Sequence, residues 1–337
     1  MSKLLADDQT VRRIVEAAAA APSIHNTQPW RLGVGENDLI EVYADPNRAL
    51  WVADPHARAL YLSCGAALFN IRMAIRLAGH NPLVWPLPHP THSPFLVAVV
   101  AAEPARPPSG SERELFDAIW QRHTNRGPFT DSPLPESVQV GLEQAAGFEF
   151  ASLRILTTNE AAVVLHLAAR ADQALSTDFD HQVELERWIA TGSQQDGVPE
   201  SALPPRSDVG SSPVRDFSSV TPAIARASAT FEPFPHLAVL TTARDEPADW
   251  LRAGQALQRV LLTATMYGVS ASFLYQPIEL RDMRGKATLA WPWPENPQMI
   301  IRFGYGAPAP GSPRRQLQDL VTRTDGSATP LAVQLPD

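Results

Sequence analysis

The apolar positions of this chain fall into long helical runs and short strand-like ones. "CGAALFNIRMAIRLAGHNP", residues 64 to 82, is apolar on nearly every side, carries small residues at Gly65, Ala66 and Ala67, and closes on Gly79. That pattern predicts a buried helix with a glycine stop. "AGQALQRVLLTATMYGVSAS", residues 253 to 272, lies over it at an offset of about 189 residues, matching Gly65 with Gly254, Leu68 with Leu257, Ile71 with Val260 and Gly79 with Gly268. Matching glycines that bracket matching apolar positions predict an internal duplication. An apolar run follows each helix, "PFLVAVVAA" (94 to 102) and "QMIIRFGYG" (298 to 306); others are "LIEVYA" (39 to 44), "SLRILTT" (152 to 158) and "HLAVLTTA" (236 to 243). Helices alternating with short strands predict an α+β fold in which central sheets are flanked by helices.

Turn-forming composition divides the chain. "AEPARPPSGSERE", residues 102 to 114, is dense in Pro and Ser and reads as a connector. It places a first half at residues 1 to 105 and a second at 106 to 337. A longer tract, roughly 190 to 235, is rich in Pro, Ser, Gly and Asp and exceeds an ordinary connection. It is a lid or a disordered insertion. Val198, Leu203, Val214, Phe217 and Val220 supply apolar anchors that a plain linker lacks, which favours the lid.

Composition narrows the partners. Among 337 residues 44% are hydrophobic and 19% charged, and the net charge of −8 argues against a nucleic-acid surface. Small molecules or proteins are the expected partners. Only Lys3 and Lys286 are lysines, so nearly every cation is an arginine, whose planar fork suits phosphate or carboxylate. Cys64 is the single cysteine, which excludes an internal disulfide or a multi-cysteine metal site and fits a reducing cytoplasm. The pair Arg12 and Arg13 is followed by Glu16 rather than by an apolar signal core, and Arg72 and Arg76 interrupt the longest apolar run, so neither export nor a membrane span is expected. His56, His80, His89, His92 and His181 show no metal-ligand spacing.

Three polar clusters carry candidate chemistry. "APSIHNTQPWRL", residues 21 to 32, ends a helix at Pro22 and sets Ser23, His25, Asn26, Thr27 and Gln28 before Pro29 and Trp30. These groups donate and accept hydrogen bonds without bringing charge, which suits a polar heteroaromatic ligand; a capped turn with Trp30 in the core is the alternative. Hydrolysis by Ser23 with His25 lacks both a nucleophile elbow and a partner acid. "WQRHTNRGPFTDSPLPES", residues 120 to 137, places Arg122, Thr124, Asn125 and Arg126 at the end of an amphipathic helix that begins near Glu112. Two arginines four apart can fork onto a phosphate, or simply sit as cations at a helix C-terminus. "GSPRRQLQDLV", residues 311 to 321, adds Arg314 and Arg315 after Gly304, Tyr305 and Gly306.

The first cluster resembles the flavin-binding loop of the nitroreductase superfamily, A-P-S-x-x-N-x-Q-P-W, complete here in Ala21, Pro22, Ser23, Asn26, Gln28, Pro29 and Trp30. The second is similar to that family's R-R-S-x-R-x-F, with Arg122 and Arg126 kept, Thr124 in place of the serine and His123 in place of the second arginine. The third is similar to the basic residues that follow the family's glycine-bearing strand. The resemblance implies FMN as cofactor, with Ser23, His25, Asn26, Gln28 and Trp30 around it. It implies that Arg122, Thr124, Asn125 and Arg126 hold the phosphate and that Arg314 and Arg315 complete it. It also places Ser270, Ala271 and Ser272 of "GVSASFL" (268 to 274) in the loop whose backbone N–H approaches the flavin N5.

Each half keeps what the other lacks. The first has the polar loop without an arginine leader; the second has the leader but reads "QAAGFEFASLRIL" (144 to 156) where the loop should follow. Nitroreductases are homodimers with two interface sites, so the resemblance implies a nitroreductase-like pseudo-dimer fused into one chain with one composite site. The Acg-like branch of actinobacterial, dormancy-associated proteins is the nearest likeness, through S-x-H-N-T-Q-P-W, T-N-R, Glu184, Leu185 and Trp188, and Asp196 to Pro199. Expected is an FMN-dependent oxidoreductase that uses NAD(P)H on a nitroaromatic or quinone, as a monomer or homodimer. The alternative is a non-enzymatic flavin-sequestering protein, its lid closed over the ring. The flavin brings its own chemistry, so no catalytic side chain is required.

Overall fold

A computed structural model of the chain describes residues 4 to 35, 39 to 89, 93, 95 to 190, 192 to 208, 214 to 282 and 294 to 324. In order, the elements are α1 (Asp8–Ala19), β1 (Trp30–Gly35), β2 (Leu39–Ala44), α2 (Arg58–Leu77), β3 (His80–Pro86), β4 (Leu96–Pro104), α3 (Gly110–Gln121), α4 (Glu136–Gly147), β5 (Ser152–Ile155), α5 (Thr158–Ser176) and α6 (Phe179–Glu186). Four two-residue strands follow, β6 (Ile189–Ala190), β7 (Val198–Pro199), β8 (Arg206–Ser207) and β9 (Ser228–Ala229). The chain continues with β10 (His236–Thr242), α7 (Pro247–Met266), β11 (Ser270–Phe273), α8 (Gln276–Asp282), β12 (Asn296–Gly304) and β13 (Val321–Thr324).

The fold is α+β, and its two principal sheets repeat one strand order. The first runs β13-β1-β2-β4-β3, and the second, read from its other edge, β5-β10-β12-β11. The pairings are antiparallel except that β13 lies parallel to β1, with Leu32 opposite Val321. The extra strand of the first sheet thus comes from the far end of the chain.

Helices α2 and α7 are each 20 residues long and start at 58 and 247, the same offset of 189. They pack on one another through Gly65 and Gly254. A Cβ on Gly65 would run into the Leu251 carbonyl and lie 2.9 Å from the Gly254 Cα; one on Gly254 would run into the Leu62 carbonyl. Leu62 and Leu251 stand at the same offset, so the contact is symmetric. Gln258 Nε2 donates to Asn70 Oδ1 at 2.8 Å nearby, which satisfies two polar groups inside the helix pair. Gly79 and Gly268 both stop their helices with positive φ, +81° and +69°.

Several boundaries differ from the sequence reading. Helix α2 begins at Arg58, six residues before the run that announced it, and α1 ends at Ala19 rather than Pro22. Helix α3 starts at Gly110 because Ser109 and Glu112 form a reciprocal capping box. By length and composition α2 is apolar enough to span a bilayer despite Arg72 and Arg76, but 83% of its most apolar window is buried in the protein. The described residues between 190 and 235 hold little regular structure, yet Val198, Val214 and Phe217 are each at most 2% exposed. With Leu185, Ile189 and Ala202, Val198 and Phe217 form a small core separate from the two large ones.

Candidate functional site

The loop between α1 and β1 is strained. His25, Asn26 and Gln28 have φ of 45°, 57° and 48°, a left-handed conformation that non-glycine residues adopt at a cost unless the surroundings enforce it. The enforcing bonds are visible. Ser23 Oγ accepts from the Gln28 N–H at 2.9 Å, and Arg48 Nη1 donates to the Thr27 carbonyl at 2.9 Å. Asn26 Nδ2 donates to the carbonyls of Gly197 and Pro313, both at 3.0 Å, while its Oδ1 accepts from Arg314 at 3.0 Å. Gln28 Nε2 donates to the Gln195 carbonyl at 2.9 Å, and its Oε1 accepts from the Arg315 N–H at 2.8 Å.

Beside this loop lies a partly enclosed cavity of about 100 Å³. Pro22 to His25 form one wall, with Leu62, Ser63 and Ala66 of α2 next to them. Thr124 and Arg126 come from the segment after α3, Arg215 and Phe217 from the long insertion, and Leu257, Phe273, Tyr275 and Glu279 from the second repeat. Both repeats and the insertion therefore line one space.

Charge is distributed unevenly around it. Glu279 is fully buried and accepts from Arg215 on the insertion and from His181 Nε2, at 2.7 Å, on α6. Burial alone would raise its pKa, but the Arg215 charge and the His181 hydrogen bond outweigh that and bring it down to about 2. Asp172, bonded by Gln276 Nε2 at 3.2 Å, moves the other way, to about 6, because burial dominates there. Burial, then Arg215, pushes His25 down to about 3, so its imidazole is neutral at physiological pH. Its Nε2 has no partner among the described residues, and its ring meets Phe217 edge-on at 6.2 Å.

Arg122, Arg126 and Arg314 have no carboxylate partner among the described residues. Arg122 is 6% exposed, and burial together with Arg314 lowers it to about 9. Burial alone lowers Arg314 to about 10, and burial with Arg215 lowers Arg126 to about 10. The Nε atoms of Arg122 and Arg314 are buried without partners among the described residues. A buried cation lacking a counter-charge costs several kcal/mol. The three guanidiniums do not converge. Arg126 lines the cavity beside the loop, whereas Arg122, Arg314 and Arg315 line a second cleft with Glu16, His123 and Ser312.

Similarity to known proteins extends over almost the whole chain. It is 31% identical over 322 residues to a Mycobacterium tuberculosis H37Rv protein named as an NAD(P)H nitroreductase, Rv3131, covering 94% of this chain and 92% of that one. This chain belongs to the nitroreductase family. A second nitroreductase-named relative from the same strain, Acg, is 29% identical over 329 residues, covering 95% of this chain and 97% of its own. Among solved structures, NfnB from Mycobacterium smegmatis in complex with NADPH matches at 16% identity and a TM-score of 0.35, over 62% of this chain and 97% of that one. A Bacteroides fragilis nitroreductase with bound FMN matches at 12% and 0.35, over 60% and 94%. No protein-family model matches the chain.

Within this nitroreductase-family chain the anticipated site residues separate into two groups. Ser23, His25, Thr124 and Arg126 line the cavity. Asn26 and Gln28 do not, because their side chains tie together segments distant in sequence. Trp30 is fully buried in the first core as the opening residue of β1. Arg122 and Arg126 open onto different cavities, which corrects the expectation of a single fork. Asn125 is a strut whose backbone N–H donates to Ala271 at 2.9 Å and whose Nδ2 donates to Ala307 at 2.7 Å. Ser270, Ala271 and Ser272 belong to β11 rather than to a loop, and Ser272 Oγ accepts from Arg302 at 3.4 Å. Arg315 donates to the Gln28 and Trp30 carbonyls at 3.0 and 3.2 Å, holding the loop to β1. No hydrogen bond joins Ser23 to His25 among the described residues, since the Ser23 hydroxyl serves Gln28.

Sequence reasoning missed Arg215, Tyr275 and Glu279, and named Phe217 only as an anchor of the lid. A carboxylate set in the apolar run "FLYQPIEL" was the one available signal, because such a group is buried only when paired.

Proposed function

We propose that the chain binds one FMN at a composite site, the isoalloxazine in the cavity beside the polar loop and the phosphate at Arg122 and Arg314, and works as an NAD(P)H-dependent oxidoreductase on a nitroaromatic or quinone. The observations that carry this reading are a cleft lined by Arg122 and Arg314, which have no carboxylate partner among the described residues, and a separate, mainly apolar cavity lined by residues from distant parts of the chain. The donor set fits: each charge-assisted bond from these guanidiniums to a phosphate contributes about 1.5–3 kcal/mol. Ser23 and Thr124 offer hydroxyls for orientation, and Leu62, Phe273 and Tyr275 exclude water. When bound, the flavin supplies hydride-transfer chemistry, and no protein nucleophile is needed. In this reading the two repeats, dividing near residue 105, are a fused dimer that kept one of two equivalent sites.

A second reading is favoured by Phe217. Its ring is 2% exposed, lies between His25 and Arg126, and is anchored two residues from the buried Arg215–Glu279 pair. An insertion held this way acts as a lid that limits nicotinamide access, and the protein then sequesters flavin.

The visible spectrum of the purified protein, followed anaerobically on NADPH addition, separates the readings. Prompt bleaching of a flavin spectrum supports the reductase, and a spectrum that persists supports sequestration. Arg122→Gln is expected to lower FMN content at least tenfold at equal protein concentration. Unchanged flavin content in that variant, or a wild type that refuses added FMN, would remove the site assignment.

A further inference from the structure

We infer that Asn26 is a positioning residue that aims Arg314 at the anionic end of the ligand and leaves that arginine's charge intact. The inference rests on the FMN reading above. Asn26 is 8% exposed and uses its whole amide: two N–H groups donate to the Gly197 and Pro313 carbonyls, and the oxygen accepts from Arg314 Nη1, all at 3.0 Å. One amide thus grips both the backbone at 313 and the guanidinium at 314. Every other described acceptor on that guanidinium is a neutral carbonyl, at Ala20, Ser312 and Pro313, with distances of 3.0 to 3.3 Å. Arg314 is oriented from several sides by groups that carry no charge, while its Nε stays buried without a described partner.

The neutrality is the functional point. An aspartate at position 26 would accept from Arg314 equally well, but it would form an ion pair and cancel the charge that a phosphate needs. It would also set a carboxylate oxygen against two carbonyls with no proton to donate. Asparagine additionally tolerates the left-handed backbone at φ 57°. Orientation without neutralisation therefore requires the amide.

The test compares FMN with riboflavin, which lacks the phosphate, by flavin fluorescence on the full-length chain stripped of flavin. The wild type is expected to prefer FMN at least tenfold. Asn26→Asp should cut that preference tenfold or more while the riboflavin Kd stays within threefold. Arg314→Gln should give the same loss, and the double variant no further loss, because both changes remove one effect. Should Asn26→Asp fail to fold, Asn26→Gly suits the left-handed backbone and should again lower FMN preference with riboflavin unchanged. Equal weakening of both flavins in the Asn26 variants would show a merely structural role and overturn this inference alone, as would an unchanged preference. A wild type with no preference for FMN over riboflavin would overturn the phosphate assignment together with it.

Discussion

Gly254→Ala lowers the free energy of unfolding by about 3 kcal/mol or more, at the upper end of overpacking effects, because the added methyl meets backbone rather than a yielding side chain. Its Cβ would collide with the Leu62 carbonyl and lie 2.9 Å from the Gly65 Cα, so α2 and α7 could admit it only by moving apart as rigid units. That movement would open the seam between the two repeats, including the wall where Leu62 and Leu257 meet the cavity. Gly65→Ala is expected to behave alike. Urea unfolding followed by far-ultraviolet circular dichroism is the measurement, and a loss under about 1 kcal/mol would show that the helix contact is looser than its geometry.

Glu279→Ala should cost about 3–5 kcal/mol, since it strands the Arg215 guanidinium in a buried site without its counter-charge. The effect has a pH signature. The Glu279 pKa falls from 4.5 to about 2 on folding, so its contribution is complete above pH 4.5 and disappears as the pH falls toward 2. A lowering from 4.5 to about 2 corresponds to about 3 kcal/mol. Wild type and Glu279→Gln are therefore expected to differ most at neutral pH and to converge on acidification. A gap that does not narrow between pH 5 and pH 2.5 would remove the ion pair as its cause. Because Arg215 lies on the insertion, hydrogen exchange across residues 214 to 221 should accelerate in the same variant while that of α2 stays unchanged.

The two long helices were legible in the chain because they repeat their glycines and apolar faces at a constant offset, and helical periodicity is local. Strand β2 was read at its true bounds for the same reason, its burial alternating with the pleat. Strands β3 and β13 were not read. The first is a half-buried edge strand carrying Pro82 and Pro86, and the second exists only because β1 offers it a parallel edge.

The sequence by itself determined the pair of glycine-bearing helices and the polar loop with its seven motif residues. Tertiary structure alone decided which residues of the loop line a cavity. Asn26 and Gln28 belong to the motif, yet their partners lie 171 and 167 residues away on the insertion and 287 residues away near the C-terminus. Arg122 and Arg126 are four residues apart in sequence but open onto two cavities, since the chain leaves its helix at Arg122 with extended backbone and pairs at Thr124 with β11. A side chain's residue type sets the bonds it can form. Which groups arrive to form them depends on segments brought together by the packing of α2 on α7 and by the insertion folding back over both repeats.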